Sequence, residues 1–262
     1  MNVLFLMTAR GGSKGVPRKN LRELSGLSLL GFKAGAARRS KCCRRIVLST
    51  DSEEIQAEAR RFGVEIPFTR PAELASDTAS SADVIWHAMD FFDETEGKGR
   101  FDAIMLLEPS APFARAEDYD CAVEIMMRTG ANAVVGMRRV ETSTVFVGPL
   151  DEEGRIPSIV RKMRDYRSSP SRQEVPPEYT MNGALYLFRW DYFRAHRNIY
   201  HDENTYGLVM PQHVSLEIDE MYDLAYAEFL VEKGYVKKDD YVFSDNPASG
   251  DWDISYIQEK AS

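Results

Sequence analysis

The order of elements in this chain predicts an α/β fold, a mainly parallel sheet covered by helices on both faces. Two observations carry this. Strand-length apolar runs alternate with helix-period segments through the first half, the βαβα order from which parallel sheets are built. In addition, 262 residues, 44% hydrophobic and 28% charged, suffice for one large domain, or one domain with a smaller addition, with a full core and a polar surface. Ligands of such sheets bind beyond the carboxyl ends of the strands.

The elements follow in order. "VLFLM" (Val3–Met7) reads as a buried first strand, "RIVLSTD" (Arg45–Asp51) as a second, "DAIMLLEP" (Asp102–Pro109) and "ANAVVGM" (Ala131–Met137) as later ones. Between them, "DSEEIQAEARRF" starts a helix at a candidate N-cap, Asp51, with Glu54 three residues on. "SSADVIWHAMDFF" sets Val84, Ile85, Ala88, Met89 and Phe92 on one helical face, and "AEDYDCAVEIMMR" does the same with Tyr119, Val123 and Met126. Residues 140–180 break the pattern. "VFVGP", "RIPSIVRKM" and "RSSPSRQEVPPEYT" read as short extended pieces and a Pro/Ser-rich loop, an excursion from the main sheet. Strands return at Gly183–Trp190 and Tyr206–Met210, and "DEMYDLAYAEFLVEKG" closes the domain as a helix with Asp219 as candidate cap and Gly234 as stop. The expected domain spans 1–235, and 236–262 is a polar and aromatic tail of unknown role.

Composition excludes several classes. A net charge of -8 argues against nucleic-acid and anionic-membrane partners, which attract basic surfaces. No apolar run is long enough to cross a bilayer. "MNVLFLMTAR" lacks a basic n-region and reads as a strand, not a signal peptide. Three cysteines, Cys42, Cys43 and Cys121, form neither a disulfide framework nor a zinc pattern, and suit a reducing cytoplasm. The four histidines have no ligand or triad spacing.

Against this acidic background, "TARGGSKGVPRKN" (Thr8–Asn20) concentrates Arg10, Lys14, Arg18 and Lys19 on one glycine-containing loop. Backbone N–H groups around Gly11, Gly12 and Gly15 can converge on an anion, and the cations add charge and forked donors. Such a loop neutralises a polyphosphate in one place. The spacing fits neither G-x-x-x-x-G-K-[ST] nor G-x-G-x-x-G.

The stretch "ARGGSKGVPRKN" resembles the signature loop of the CMP-sialic acid synthetases, the acylneuraminate cytidylyltransferase family. "SKCCRRIVLSTDSEEI", "RPAELASDTASS", "LEPSAPF", "MNGALYLF" and "SLEIDEMYDLAYAE" resemble further family segments in family order, from about Asn2 to Glu232. The resemblance implies a Rossmann-like nucleotidyltransferase three-layer sandwich with a dimerisation excursion at 140–180, hence a homodimer. It also implies a reaction: CTP plus a 2-keto sugar acid gives a CMP-sugar and pyrophosphate, with Mg²⁺.

The resemblance further assigns residues. Lys19 falls near the α-phosphate and, with Arg10 and Asp219, is assigned to catalysis. Arg10, Ser13, Lys14 and Asn20 fall around the triphosphate and ribose. Arg18 sits where the family varies and reads as a solvated charge. Arg70 and Ser81 map to CTP contacts, though Ser81 also suits an N-cap. Arg172 in "PSRQEVPPEY" matches an arginine linked to the sugar acid's carboxylate, a pairing that suits a guanidinium fork. Glu217 and Asp219 are two apart, so on an extended segment they point to one side, as oxygen ligands for Mg²⁺; Asp219 is also a natural helix cap. Two positions depart from the family. Glu217 replaces an aspartate, and Glu108 replaces a glutamine at a nucleotide or sugar contact, where a carboxylate cannot donate as an amide does.

The reading is therefore a cytoplasmic cytidylyltransferase for a sialic-acid-like nonulosonate. Its alternatives are a CMP-legionaminate or CMP-pseudaminate synthetase and a catalytically silent nucleotide-binding protein of the same fold.

Overall fold

A computed structural model describes residues 1–13, 15–166, 177–200 and 202–242. Its strands are β1 (Val3–Thr8), β2 (Glu23–Leu24), β3 (Leu27–Ser28), β4 (Cys43–Ser49), β5 (Ala103–Leu107), β6 (Ala133–Arg139), β7 (Tyr179–Arg189) and β8 (Thr205–Val209). Its helices are α1 (Leu29–Arg39), α2 (Glu53–Arg61), α3 (Ser81–Thr95), α4 (Ala116–Thr129), α5 (Pro157–Asp165), α6 (Trp190–His196) and α7 (Met221–Glu232). The main sheet has the order β4-β1-β5-β7-β6-β8. Only β7 runs against its neighbours, being antiparallel to β5 and β6, so the mainly parallel reading holds.

Strand pleat divides the core into two layers. Val3, Phe5 and Met7 of β1 join Met105 and the helices α1 and α4 on one face. Leu4 and Leu6 join Ile104 and the helices α3 and α6 on the other. Successive side chains of a strand point to opposite faces, so a buried strand must be apolar throughout. The buried face of α3 is Val84, Ile85, Ala88, Met89 and Phe92, as its periodicity predicts.

Several local expectations are corrected. The N-cap of α2 is Ser52, not Asp51. Asp51 instead accepts the N–H of Gly11 at 2.9 Å, which takes that donor away from the anion loop. The cap of α7 is Glu220, in a capping box with Asp223, so Asp219 is relieved of that role. Ser80, not Ser81, caps α3. Gly234 does end α7, at φ 74°. Residues 157–165, expected as extended, form α5 with Pro157 in its first turn. Proline's fixed φ suits that position, and the apolar spacing Ile156, Val160, Met163 has the period of a helix. Four elements went unread in sequence: the short strands β2 and β3, α1, whose glycines interrupt the pattern, and α6. Gly35 of α1 has a packing reason, since a Cβ there would sit 1.8 Å from the carbonyl oxygen of Tyr241. Tyr241 and Val236 are buried, so the chain from 236 to 242, assigned above to the tail, packs against α1.

Candidate active site

Three cavities open side by side beyond the carboxyl ends of β1, β4 and β5. The first, about 360 Å³, is lined by Arg10, Ser13, Lys19, Asn20, Glu108 and Asp219, among others. The second, about 260 Å³, is lined by Arg10, Arg70, Asp77, Ala79, Ser81 and Glu108, among others. The third, about 250 Å³, has Ile85, Leu106, Phe193 and Ile199 as apolar wall and Glu108, Tyr186, Arg197 and Tyr200 as polar groups. Glu108, the residue after β5, lines all three.

The opening loop leaves β1 and crosses the sheet top to reach the chain before α7. Lys19 Nζ donates to the carbonyl of Ile218 at 2.8 Å and to Asp219 Oδ1 at 2.9 Å. The contact depends on Gly15: a Cβ there would lie 2.1 Å from the Asp219 carbonyl oxygen, inside contact distance. Asn20 is buried and holds the loop from within, donating to the carbonyl of Arg10 at 3.1 Å. Arg10 spans two cavities, bonded to the Ser76 carbonyl at 3.0 Å and paired with Asp77 at 2.9 Å. Arg18 turns outward to Glu54, as a solvated charge does.

Arg70 is buried at the back of the second cavity. Its guanidinium donates to Ser49 Oγ at 3.1 Å and to the Ser49 carbonyl at 2.6 Å. Burial lowers its pKa to about 10, against the pull of Asp51. Ser81, free of capping, lies between the second and third cavities.

The acidic side of the site is held together by backbone. Ile218 N–H donates to the Ser110 carbonyl at 2.7 Å, fixing the segment before α7 against the turn that follows β5. Ile218 is fully buried and its neighbours Glu217 and Asp219 are exposed, the alternation expected of an extended segment. Asp219 lines the first cavity. Glu217 lies apart from that lining and faces Gly183 of β7, which has φ 65°. Burial raises the Glu108 carboxyl above the usual range, and Glu217 pushes it further. Glu217 is itself raised by partial desolvation and by Asp219.

The structure thus joins Arg10, Ser13, Lys19, Asn20, Arg70, Ser81, Glu108 and Asp219 around connected cavities, with Glu217 beside them. Lys14 and Arg172 lie outside the described residues. Sequence reasoning missed Tyr186, although "MNGALYLF" carries it, and Arg197 and Tyr200, for which no local signal exists. It also missed Asn182, buried, which accepts the Ala184 N–H and donates to Ser215 Oγ at 2.9 Å, shaping the bend that presents Gly183 to Glu217.

A cavity carrying Lys19 and Arg10 beside carboxylates thus adjoins a second polar one at the carboxyl end of this sheet. The profile of a family described as "Cytidylyltransferase" matches residues 4–236. The chain belongs to the cytidylyltransferase family. This cytidylyltransferase is therefore a nucleotidyltransferase by family. It is 32% identical, over 88% of its length and 97% of the relative's, to a "CMP-N,N'-diacetyllegionaminic acid synthase" of Legionella pneumophila. It is 30% identical, over 91% of its length and 99% of the relative's, to "Post-translational flagellin modification protein B" of Campylobacter coli. Among solved structures, a CMP:2-keto-3-deoxy-manno-octonic acid synthetase complexed with CTP overlays with a TM-score of 0.63 at 14% identity, covering 89% of this chain and all of the other, which establishes a shared fold. Among the described residues no helix is long and apolar enough to cross a membrane.

Proposed function

We propose that this cytidylyltransferase activates an acylated nonulosonic acid with CTP, giving the CMP-sugar and pyrophosphate. The observation that carries this is the meeting of three cavities at Glu108. Two of them suit the two ends of a nucleoside triphosphate: a cationic loop for phosphates and an enclosed polar cavity, with Arg70 and Ser81, for the base. A small polar cavity can tell cytosine from uracil by accepting from its amine and donating to its carbonyl. The third cavity is left for the acceptor. Its apolar wall suits N-acyl groups, and its hydroxyls and charged rim suit sugar hydroxyls. The 32% identical relative, a CMP-N,N'-diacetyllegionaminic acid synthase, favours a legionaminate-type acceptor over sialic or pseudaminic acid.

The chemistry is an in-line displacement. The anomeric hydroxyl of the sugar acid attacks the α-phosphorus while pyrophosphate leaves, so positioning and cations supply most of the catalysis. Lys19, braced by Asp219 and the Ile218 carbonyl, is aimed at the developing phosphoryl charge. Arg10, Ser13, Asn20 and Lys14 hold the triphosphate and ribose. Arg172 takes the acceptor's carboxylate.

The donor set fits a divalent cation. Asp219, with Glu217 next to it in the chain, offers hard carboxylate oxygens, and burial followed by the neighbouring carboxylates raises the carboxyls of Glu108 and Glu217. Among the described residues no three acidic, histidine or cysteine side chains converge as a closed cage. Mg²⁺ suits such a site, since it takes one or two carboxylates and completes its shell with phosphates and water. When bound it neutralises phosphate charge and acidifies the attacking hydroxyl.

A homodimer through the 140–180 excursion belongs to the same reading. No residue of α5 is buried within the chain. Val147, Ile156, Val160 and Met163 are exposed together with Leu150, an apolar surface of the kind that marks an interface. The family resemblance assigns Arg172, outside the described residues, to the partner's site in such a two-fold pair.

A pyrophosphate-release assay with CTP, Mg²⁺ and a panel of N,N′-diacetyllegionaminate, N-acetylneuraminate and pseudaminate tests the function. Turnover of one of these with CTP supports it. CTP binding without turnover of any acceptor would favour a silent nucleotide-binding protein.

A further inference from the structure

Among the described residues Lys33 is the one lysine placed wholly inside the core, 0% exposed on α1. Its ammonium donates to the Ala111 carbonyl at 2.7 Å and to the Ala184 carbonyl of β7. Ala111 in turn donates its N–H to the Glu108 carbonyl at 3.1 Å, closing the turn that carries Glu108. The same turn, through Ser110, holds Ile218 between Glu217 and Asp219. One buried cation therefore sits under both acidic walls of the site. We propose that Lys33 is a positioning residue for Glu108: it ties the Glu108 turn to β7 and supplies the counter-charge that lets a carboxylate stand where the three cavities meet. The inference rests on the reading of Glu108 as a substrate-site residue.

Electrostatics support the pairing. Burial lowers the Lys33 pKa to about 7, and Glu108 is the strongest group holding it up, ahead of Asp118 and Glu217. The Tyr119 ring centroid lies 5.9 Å from Nζ. In return, Lys33 is the foremost cation acting on Glu108, ahead of Lys19. Asp118 is already bound by Arg115 at 2.9 Å, which leaves Glu108 as the carboxylate most dependent on Lys33. Removing one member of a buried charge pair costs far more than removing both, because the survivor is left uncompensated. A lysine that merely ties two carbonyls would show no such dependence.

Four proteins test this: the parent, Lys33→Met, Glu108→Gln and the double variant. Each is melted, and each is assayed with CTP, Mg²⁺ and N,N′-diacetyllegionaminate below pH of about 7, where Lys33 keeps its proton. Lys33→Met is expected to lower kcat on the order of tenfold with a smaller change in the KM for CTP. In the Glu108→Gln background the same change costs less than about threefold, and the melting cycle shows matching coupling. Losses that multiply, or parental kcat in Lys33→Met, overturn the proposal. If Lys33→Met does not fold, recovery of folding in the double variant supports the counter-charge, and failure of both overturns it. Unchanged kinetics in Glu108→Gln alone would remove Glu108 from the substrate site, and the proposal with it. Additive melts beside a real kinetic effect of Glu108→Gln defeat the Lys33 pairing only.

Discussion

Lys19 Nζ stands 2.9 Å from Oδ1 of Asp219, though 200 residues separate them in the chain. The lysine is 18% exposed and the aspartate 66%, so the pair lies at the rim of the first cavity. With its carboxylate largely in water the pair contributes little to stability, and its role is to position the lysine. Lys19→Ala is expected to lose about 3 kcal/mol of transition-state stabilisation, on the order of a hundredfold in kcat. Its melting temperature should stay near the parent's. Steady-state kinetics beside a thermal melt checks both; a near-parental kcat would make Lys19 a surface charge.

Activity is expected to require a divalent cation and to prefer CTP over UTP and ATP. Asp219 lines the phosphate cavity and Glu217 stands outside it, so Asp219→Asn should raise the Mg²⁺ needed for half-maximal rate more than Glu217→Gln does. Because Glu220 caps α7, neither change touches the helix start. Titrating Mg²⁺ against rate for both variants decides the order, and full activity in chelator defeats the metal assignment.

Gly15→Ala should separate the loop from Asp219. The added methyl would fall 2.1 Å from the Asp219 carbonyl, a backbone atom that cannot swing aside. A misplacement of about 1 Å can cost on the order of a hundredfold in rate. The expected outcome is a large drop in kcat with the fold retained, read from kinetics and circular dichroism. An unimpaired Gly15→Ala enzyme would show that the loop has room to move.

The dimer prediction rests on α5. Val160→Lys places a charge in the exposed apolar patch and should convert a dimer to a monomer by light scattering. Mixing Arg172→Ala chains with Lys19→Ala chains should restore activity if Arg172 serves the partner's site, because one site of the heterodimer then carries neither change. A monomeric parent at micromolar concentration refutes the interface.

Asp120 offers a pH test of the fold. Its carboxylate accepts from Ser40 Oγ at 2.7 Å and from the N–H groups of Cys42 and Lys41 at 3.1 and 3.2 Å, joining α4 to the turn between α1 and β4. Burial raises its pKa, but those bonds outweigh it and the net shift is downward. A carboxyl depressed in the folded state contributes stability above its unfolded pKa and loses it as pH falls through the folded value. Asp120→Ala should therefore cost about 1–2 kcal/mol at neutral pH, with the gap to the parent shrinking as pH falls below the usual carboxylate range. Chemical denaturation across pH 3 to 7 measures it; a gap constant with pH defeats the account.

By itself the sequence determined the features that are local. Continuous apolar runs at β1, β4 and β5 mark buried strands, the 3.6-residue spacing on α3 marks its buried face, and Gly234 marks a helix end, because each depends on neighbours within a turn or a strand. The cation-bearing loop was legible for the same reason: its cations lie close together in the chain. Capping was legible only to within one residue, at Ser52, Ser80 and Glu220, since adjacent polar side chains compete and packing selects the winner. Tertiary structure alone decided the rest. The sheet order brings Lys19 to Asp219 and sets Gly15 against a carbonyl from the far end of the chain. It turns Asp51 from a cap into a tether for Gly11, and it places Lys33, in a helix the sequence pattern does not reveal, beneath Glu108. These contacts follow from how strands are ordered and helices laid across them, and no window of local sequence contains that information.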